Sequence, residues 1–104
     1  MINSIKRLLG IETIDMSELA KNGATIIDVR SKGEFQRGHI KGAKNIPVDA
    51  IQSKLKTLKK DDTIICYCQS GARSGMARRI LKSKGYTHVY NGGSYMRLQN
   101  RLRS

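Results

Sequence analysis

The sequence predicts an α/β fold in which helices cover a parallel sheet. Three observations carry this expectation. Strand-length apolar runs alternate with helical patterns along the chain. The run Thr25-Ile26-Ile27-Asp28-Val29 is β-branched almost throughout, as in strands buried on both faces. At 104 residues, the chain is the size of one domain.

Each element follows from local signals. Asp15-Met16-Ser17-Glu18 has capping-box spacing and starts a short helix to about Asn22, which Gly23 ends. After the strand at 25–29, Ser31-Lys32-Gly33-Glu34 repeats that spacing and opens a very short helix to about Arg37, ended by Gly38. His39 to Gly42 is a loop, and Ala43 to Ile46 a short strand stopped by Pro47. Asp49 is the expected cap of a helix from Ala50 to about Leu58, with Ile51, Leu55 and Leu58 on one face. A strand at Thr63–Tyr67 leads into the loop that begins at Cys68. In the next helix Met76, Ala77, Ile80 and Leu81 form the expected buried stripe, Arg78, Arg79 and Lys82 face water, and Gly85 ends it. His88-Val89-Tyr90 reads as a last strand, Asn91-Gly92-Gly93 as a turn, and Ser94 to about Leu102 as a closing helix.

Composition bounds the function. No apolar run approaches the roughly 20 residues that span a bilayer, so a membrane protein is not expected. Met1 to Gly10 carries Ile2, Ile5, Leu8 and Leu9 at near-helical spacing, but Lys6 and Arg7 interrupt it and no cleavage site follows. It reads as a helical turn in an N-terminal extension, 1–12, ahead of a single domain, 13–104. The net charge of +12 favours anionic substrates and suits an acidic protein partner. With aromatic residues at 5% and no nucleic-acid-binding signature, specific nucleic-acid binding is not expected. Cys66 and Cys68, two apart in an extended segment, would close no useful loop, so both are expected as free thiols in a reducing cytoplasm.

The segment Cys68-Gln69-Ser70-Gly71-Ala72-Arg73-Ser74 joins a strand to a helix, where ligands of open α/β sheets bind. Ser70 and Gly71 are small enough for a tight curl that turns backbone N–H groups around the sulfur. The next helix adds the positive end of its dipole. A helix N-terminus lowers a cysteine pKa from about 8.5 to roughly 3.5–7.5, so Cys68 is expected as a thiolate nucleophile. His39 and His88 have no spacing that ties them to Cys68, and both are expected to be structural or solvated. Cys66 lies one pleat period away and belongs in the core. No Cys-x-x-Cys spacing or fourth ligand is present, so neither a metal nor a cofactor is expected.

From Ile14 to Leu98 the chain resembles a single-domain rhodanese, a member of the rhodanese-like sulfurtransferase family. Four blocks carry the resemblance: Ile27-Asp28-Val29-Arg30; Glu34-Phe35 with Gly38-His39-Ile40 and Gly42-Ala43-Lys44-Asn45-Ile46-Pro47; Cys68 to Ser74; and Tyr90-Asn91-Gly92-Gly93. It implies a rhodanese-like α/β fold, with a five-stranded parallel sheet and helices on both faces. One departure is Arg97, where the family often has Trp. Family-like folds with phosphatase or arsenate reductase activity carry one more loop residue. Here four residues separate Cys68 from Arg73, a ring sized for sulfur.

The expected chemistry is ping-pong sulfur transfer. Cys68 takes the outer sulfur of thiosulfate or of a persulfide donor and passes it to a thiol or to cyanide. Gln69, Ser70, Gly71, Ala72, Arg73 and Ser74 are the expected substrate-binding residues, their N–H groups holding the anionic persulfide and Arg73 adding a fixed charge. Asp28 and Arg30 are read as a pair tying loops together, with Glu34 as an ion-pair partner for Arg30. The alternatives are a non-catalytic persulfide carrier or interaction module and, disfavoured by loop length, a phosphatase or arsenate reductase.

Overall fold

The computed structural model describes residues 14–103. Helix α1 (Met16–Lys21) precedes β1 (Thr25–Asp28), α2 (Lys32–Gln36), β2 (Lys44–Asn45), a 3-10 helix (Val48–Thr57), β3 (Thr63–Cys68), α3 (Ala72–Ser83), β4 (His88–Ser94) and α4 (Tyr95–Leu102). All strand pairings are parallel, in the order β2-β1-β3-β4. The expected N-terminal extension falls outside the described residues.

Side-chain alternation sorts the core into two layers. Ile27, Val29, Ile64, Cys66 and Cys68 point to one face, where the 3-10 helix and α3 cover them through Ile51, Leu58, Ala77 and Leu81. Ile65 and Tyr67 point to the other, against Met16 of α1 and Leu98 of α4. Ile64 to Cys68 are therefore buried without a break, which accounts for the continuous apolar character of β3. Both cysteines face α3 because they are two residues apart. That parity puts the Cys68 sulfur under the helix that follows it.

Several expectations need correction. Among the described residues the sheet has four strands, not five, because only four runs in this stretch have strand character. The segment after Pro47 is a 3-10 helix, and Asp49 does not cap it: Pro47 occupies the cap position and no side chain bonds there. The Ser53 and Thr57 hydroxyls donate to the carbonyls three residues back, Ala50 O at 2.8 Å and Lys54 O at 2.9 Å, which suits the tighter winding. Met76 is 48% exposed, and Ser74 joins Ala77 and Leu81 on the buried face of α3. Arg78 does not simply face water, since its Nε donates to Val89 O at 2.9 Å.

Asn91-Gly92-Gly93 is not a free turn but part of β4. Asn91 pairs with Cys66 and Gly93 with Tyr67, so Gly92 is an extra residue in the strand, a bulge. A Cβ on Gly92 would sit 2.9 Å from both Ile65 Cγ2 and Leu98 Cδ2, so only glycine fits between sheet and α4. The caps are as expected at two helices: Asp15 accepts from Glu18 N, and Ser31 and Glu34 form a full capping box; Ser94, expected only as the start of the closing helix, also caps it by accepting from Arg97 N. Arg97 is exposed while Leu98 fills the position beneath α4.

Candidate active site

Cys68 ends β3, and three residues later Gly71 turns the chain into α3 with φ of 102°, a conformation that strains any residue with a Cβ. As the N-cap of α3, Gly71 offers no side chain to the helix's free amides. The Cys68 sulfur takes that role. It accepts from Gly71 N at 2.9 Å and from Ser74 N, the third amide of the helix, at 3.4 Å, and the Ser74 hydroxyl lies 3.5 Å away. A thiolate fits this position because amide donors and the positive end of a 12-residue helix converge on it.

Burial pushes the Cys68 thiol up, since the residue is fully buried. Hydrogen bonds from the Ser74 hydroxyl and from the amides of Ser74, Gly71 and Ser70 outweigh it and bring the pKa below the ordinary thiol value. Cys66 shows the same burial without the donors. Burial first, and then the nearby Cys68, push its thiol up to about 12. It is a neutral core residue.

Of the expected loop residues, Gly71 and Ser74 contact the sulfur and Ser70 contributes its amide. Ala72 opens α3. Gln69 and Arg73 are engaged elsewhere. The Gln69 side-chain oxygen, Oε1, accepts from Arg30 Nη1 at 3.2 Å. Arg73 forms a two-point ion pair with Glu34, at 2.7 and 3.0 Å, so its charge is already matched. This corrects the expected Arg30–Glu34 pair. Glu34 is held well below the usual carboxylate range, at about 2, first by the Arg73 guanidinium and then by the Ser31 amide.

Arg30 instead pairs with Asp28 inside the protein. Its Nε and Nη2 donate to the carboxylate at 2.6 to 3.0 Å, and Nη2 also reaches Gly38 O at 2.7 Å. The guanidinium lies over the Tyr95 ring at 4.7 Å. Through Gln69 and Gly38 this one side chain ties the β1 end to the cysteine loop and to the loop before β2. The loop-tying role expected for the pair is what the contacts show.

No histidine approaches the sulfur. His39 stacks on Phe35 at 3.6 Å with its Nδ1 2.8 Å from Phe35 O, and His88 is exposed at the opposite end of β4. Among the described residues no group of three or more His, Cys, Asp or Glu side chains converges as a metal site. Sequence reasoning missed Asn91, whose Oδ1 receives the Ser74 hydroxyl at 2.6 Å. Its signal was position: an amide side chain one residue before the bulge, on the strand beside β3.

A hollow of about 400 Å³ lies at the carboxyl ends of β1 and β2, lined by Val29, Ser31, Lys32, Pro47, Val48, Asp49 and Arg73. Its lining holds the cations Lys32 and Arg73, the latter paired with Glu34, and the carboxylate of Asp49. Among the described residues no helix is long and apolar enough to cross a membrane.

Comparison with known proteins agrees with this geometry. Residues 14–95 match the rhodanese-like domain family. The chain is 44% identical over 69 residues to the thiosulfate sulfurtransferase PspE of Escherichia coli, covering 64% of this chain and 66% of that protein. It is 41% identical over 68 residues to the uncharacterized protein YqhL of Bacillus subtilis, covering 65% of this chain and 54% of that protein. The chain thus spans about half to two thirds of the length of these relatives. Among solved structures, a rhodanese with anions from E. coli superposes with a TM-score of 0.69 at 38% identity, covering 72% of this chain and 91% of that one.

Proposed function

The chain belongs to the rhodanese-like domain family, and we propose that it is a thiosulfate sulfurtransferase working through a Cys68 persulfide. The observation that carries this reading is the sulfur's place as acceptor for the amides of Gly71 and Ser74 at the start of α3. A thiolate is stable there without a histidine base, and so is the anionic end of a persulfide.

In the first half-reaction the Cys68 thiolate attacks the outer sulfur of thiosulfate. The new S–S bond forms as the old one breaks, and its electron pair leaves with sulfite. In the second, cyanide or a thiolate attacks the outer sulfur, giving thiocyanate or a new persulfide and returning the Cys68 thiolate. The donors on the sulfur hold the thiolate's charge at the start of the first half-reaction and again at the end of the second. Lys32 and Arg73, beside the hollow at the strand ends, favour approach of an anionic donor. Arg73 acts here at reduced strength because Glu34 offsets it. Ser70, Gly71, Ala72 and the exposed Gln69 form the cover through which the donor sulfur reaches the thiolate. Two free thiols, one of them reactive, suit a reducing cytoplasm.

A persulfide carrier is the second reading, and the basic character of the chain is the observation that favours it. Here the +12 charge would recruit an acidic protein partner. Steady-state transfer from thiosulfate to cyanide separates the two. Cys68→Ser should abolish it, Cys66→Ser should keep most of it, and loading without turnover on any small acceptor would favour the carrier. Full activity in Cys68→Ser would remove the chemistry from this loop.

A further inference from the structure

The Ser74 hydroxyl has one hydrogen and three acceptors within reach: Asn91 Oδ1 at 2.6 Å, Gly71 O at 3.0 Å and the Cys68 sulfur at 3.5 Å. The Asn91 amide cannot turn over to become a donor to Ser74 without losing two bonds. Gly93 N donates to its Oδ1 at 2.9 Å, and its Nδ2 donates to Gly71 O at 3.3 Å. The fold also makes room for it. Gly75 stands inside α3, where glycine costs about 1 kcal/mol relative to alanine. A Cβ at Gly75 would lie 3.3 Å from Asn91 Nδ2.

We propose that Asn91 is a positioning residue that acts on Cys68 through Ser74, by competing with the sulfur for the single hydroxyl hydrogen. With Cys68 as a thiol, the S–H donates to Ser74 Oγ and the hydroxyl donates to Asn91 Oδ1. When the thiol loses its proton, the hydroxyl rotates and donates to the sulfur, leaving Asn91 Oδ1 with Gly93 N alone. When the sulfur's charge moves out to a bound sulfane sulfur, the hydrogen returns to Asn91. The rotor therefore stabilises the charge at Sγ in one half of the cycle and releases it in the other. Asn91 sets how readily the switch occurs.

The proposal rests on the reading of Cys68 as the reacting thiol. Its test uses the ultraviolet absorbance of the thiolate against pH, with the Cys68→Ser chain subtracted, and needs no sulfur donor. Failure of sulfur transfer would thus leave the result standing, and a normal transfer rate would not rescue it. The other charged and titratable groups near the sulfur are Cys66 on β3, Arg73 on α3 with Glu34 on α2, and the Asp28–Arg30 pair at the end of β1. His88 lies at the far end of β4, and all of these are the same in every variant.

Removing the competitor in Asn91→Ala should move the Cys68 midpoint down by roughly half a pH unit or more, the scale of part of a charge-assisted hydrogen bond. In the Ser74→Ala background the same change should have little effect. Asn91→Asp keeps an acceptor for Gly93 N and holds the hydroxyl more strongly. It should raise the midpoint, and by more with Ser74 present than without it. Either variant alone carries the test if thermal melting shows that the other does not fold. Equal shifts in both Ser74 backgrounds, or no shift, would overturn the proposal.

Discussion

Each nitrogen of the Arg30 guanidinium donates to a partner: the Asp28 carboxylate, Gly38 O or Gln69 Oε1. Both ions are almost fully buried, so their desolvation is offset only while the set is complete. Replacing Arg30 with Met leaves Asp28 buried and unpaired. It should cost about 3–5 kcal/mol, read as a lower urea midpoint, whereas an unchanged midpoint would contradict the assigned role. The pair was legible because two opposite charges flank Val29 at a strand end. The partner of Glu34 was not. A spacing of four suggests a helical pair with Arg30, but Ser31 is the N-cap of α2, so Arg30 lies outside that helix and cannot use its periodicity. Arg73 reaches Glu34 only because the fold brings α3 over α2's first turn. Asn91 was marked only by its place before Gly92-Gly93, and its partner was illegible for the same reason, since its side-chain oxygen and the Ser74 hydroxyl are seventeen residues apart.

Among the elements, the caps of α1 and α2 and the positions of β1 and β3, each to within one residue, were readable because each depends on neighbours in sequence. The 3-10 helix and β4 were not, because tertiary partners set them. Tyr86, from beyond α3, donates to Leu55 O and Leu58 O at 3.1 Å and fixes the end of the 3-10 helix. Gly-Gly reads as a turn by composition, but pairing with β3 on one side and Leu98 on the other makes it a bulge that carries β4 to the loop. Gly92→Ala should therefore destabilise the domain by roughly 1–3 kcal/mol through overpacking against Ile65 and Leu98. Thermal unfolding measures this. A melting temperature equal to that of the parent would mean that β4 and α4 move apart freely.

At the scale of the molecule, the order β2-β1-β3-β4 puts β3 in the interior of the sheet and its carboxyl end, with Cys68, under the start of α3. The alternation of strands and helices was enough to foresee this placement. The family resemblance suggested a fifth strand, which residues 14–103 do not contain. The +12 charge adds a field that acts beyond the site. Raising salt from about 0.01 M to 0.15 M shortens the screening length from about 30 Å to about 8 Å. The rate constant for sulfur loading from dianionic thiosulfate should fall several-fold over this range, while that from a neutral donor should not. Equal salt effects would dissociate the charge from donor capture. Mass spectrometry of the intact chain and its peptides after thiosulfate treatment, under non-reducing conditions, shows whether Cys68 carries the transferred sulfur. One added sulfur atom on the Cys68 peptide is expected, with none on Cys66 separately and loss of the adduct upon addition of cyanide. An unmodified Cys68 thiol after that treatment would contradict that role.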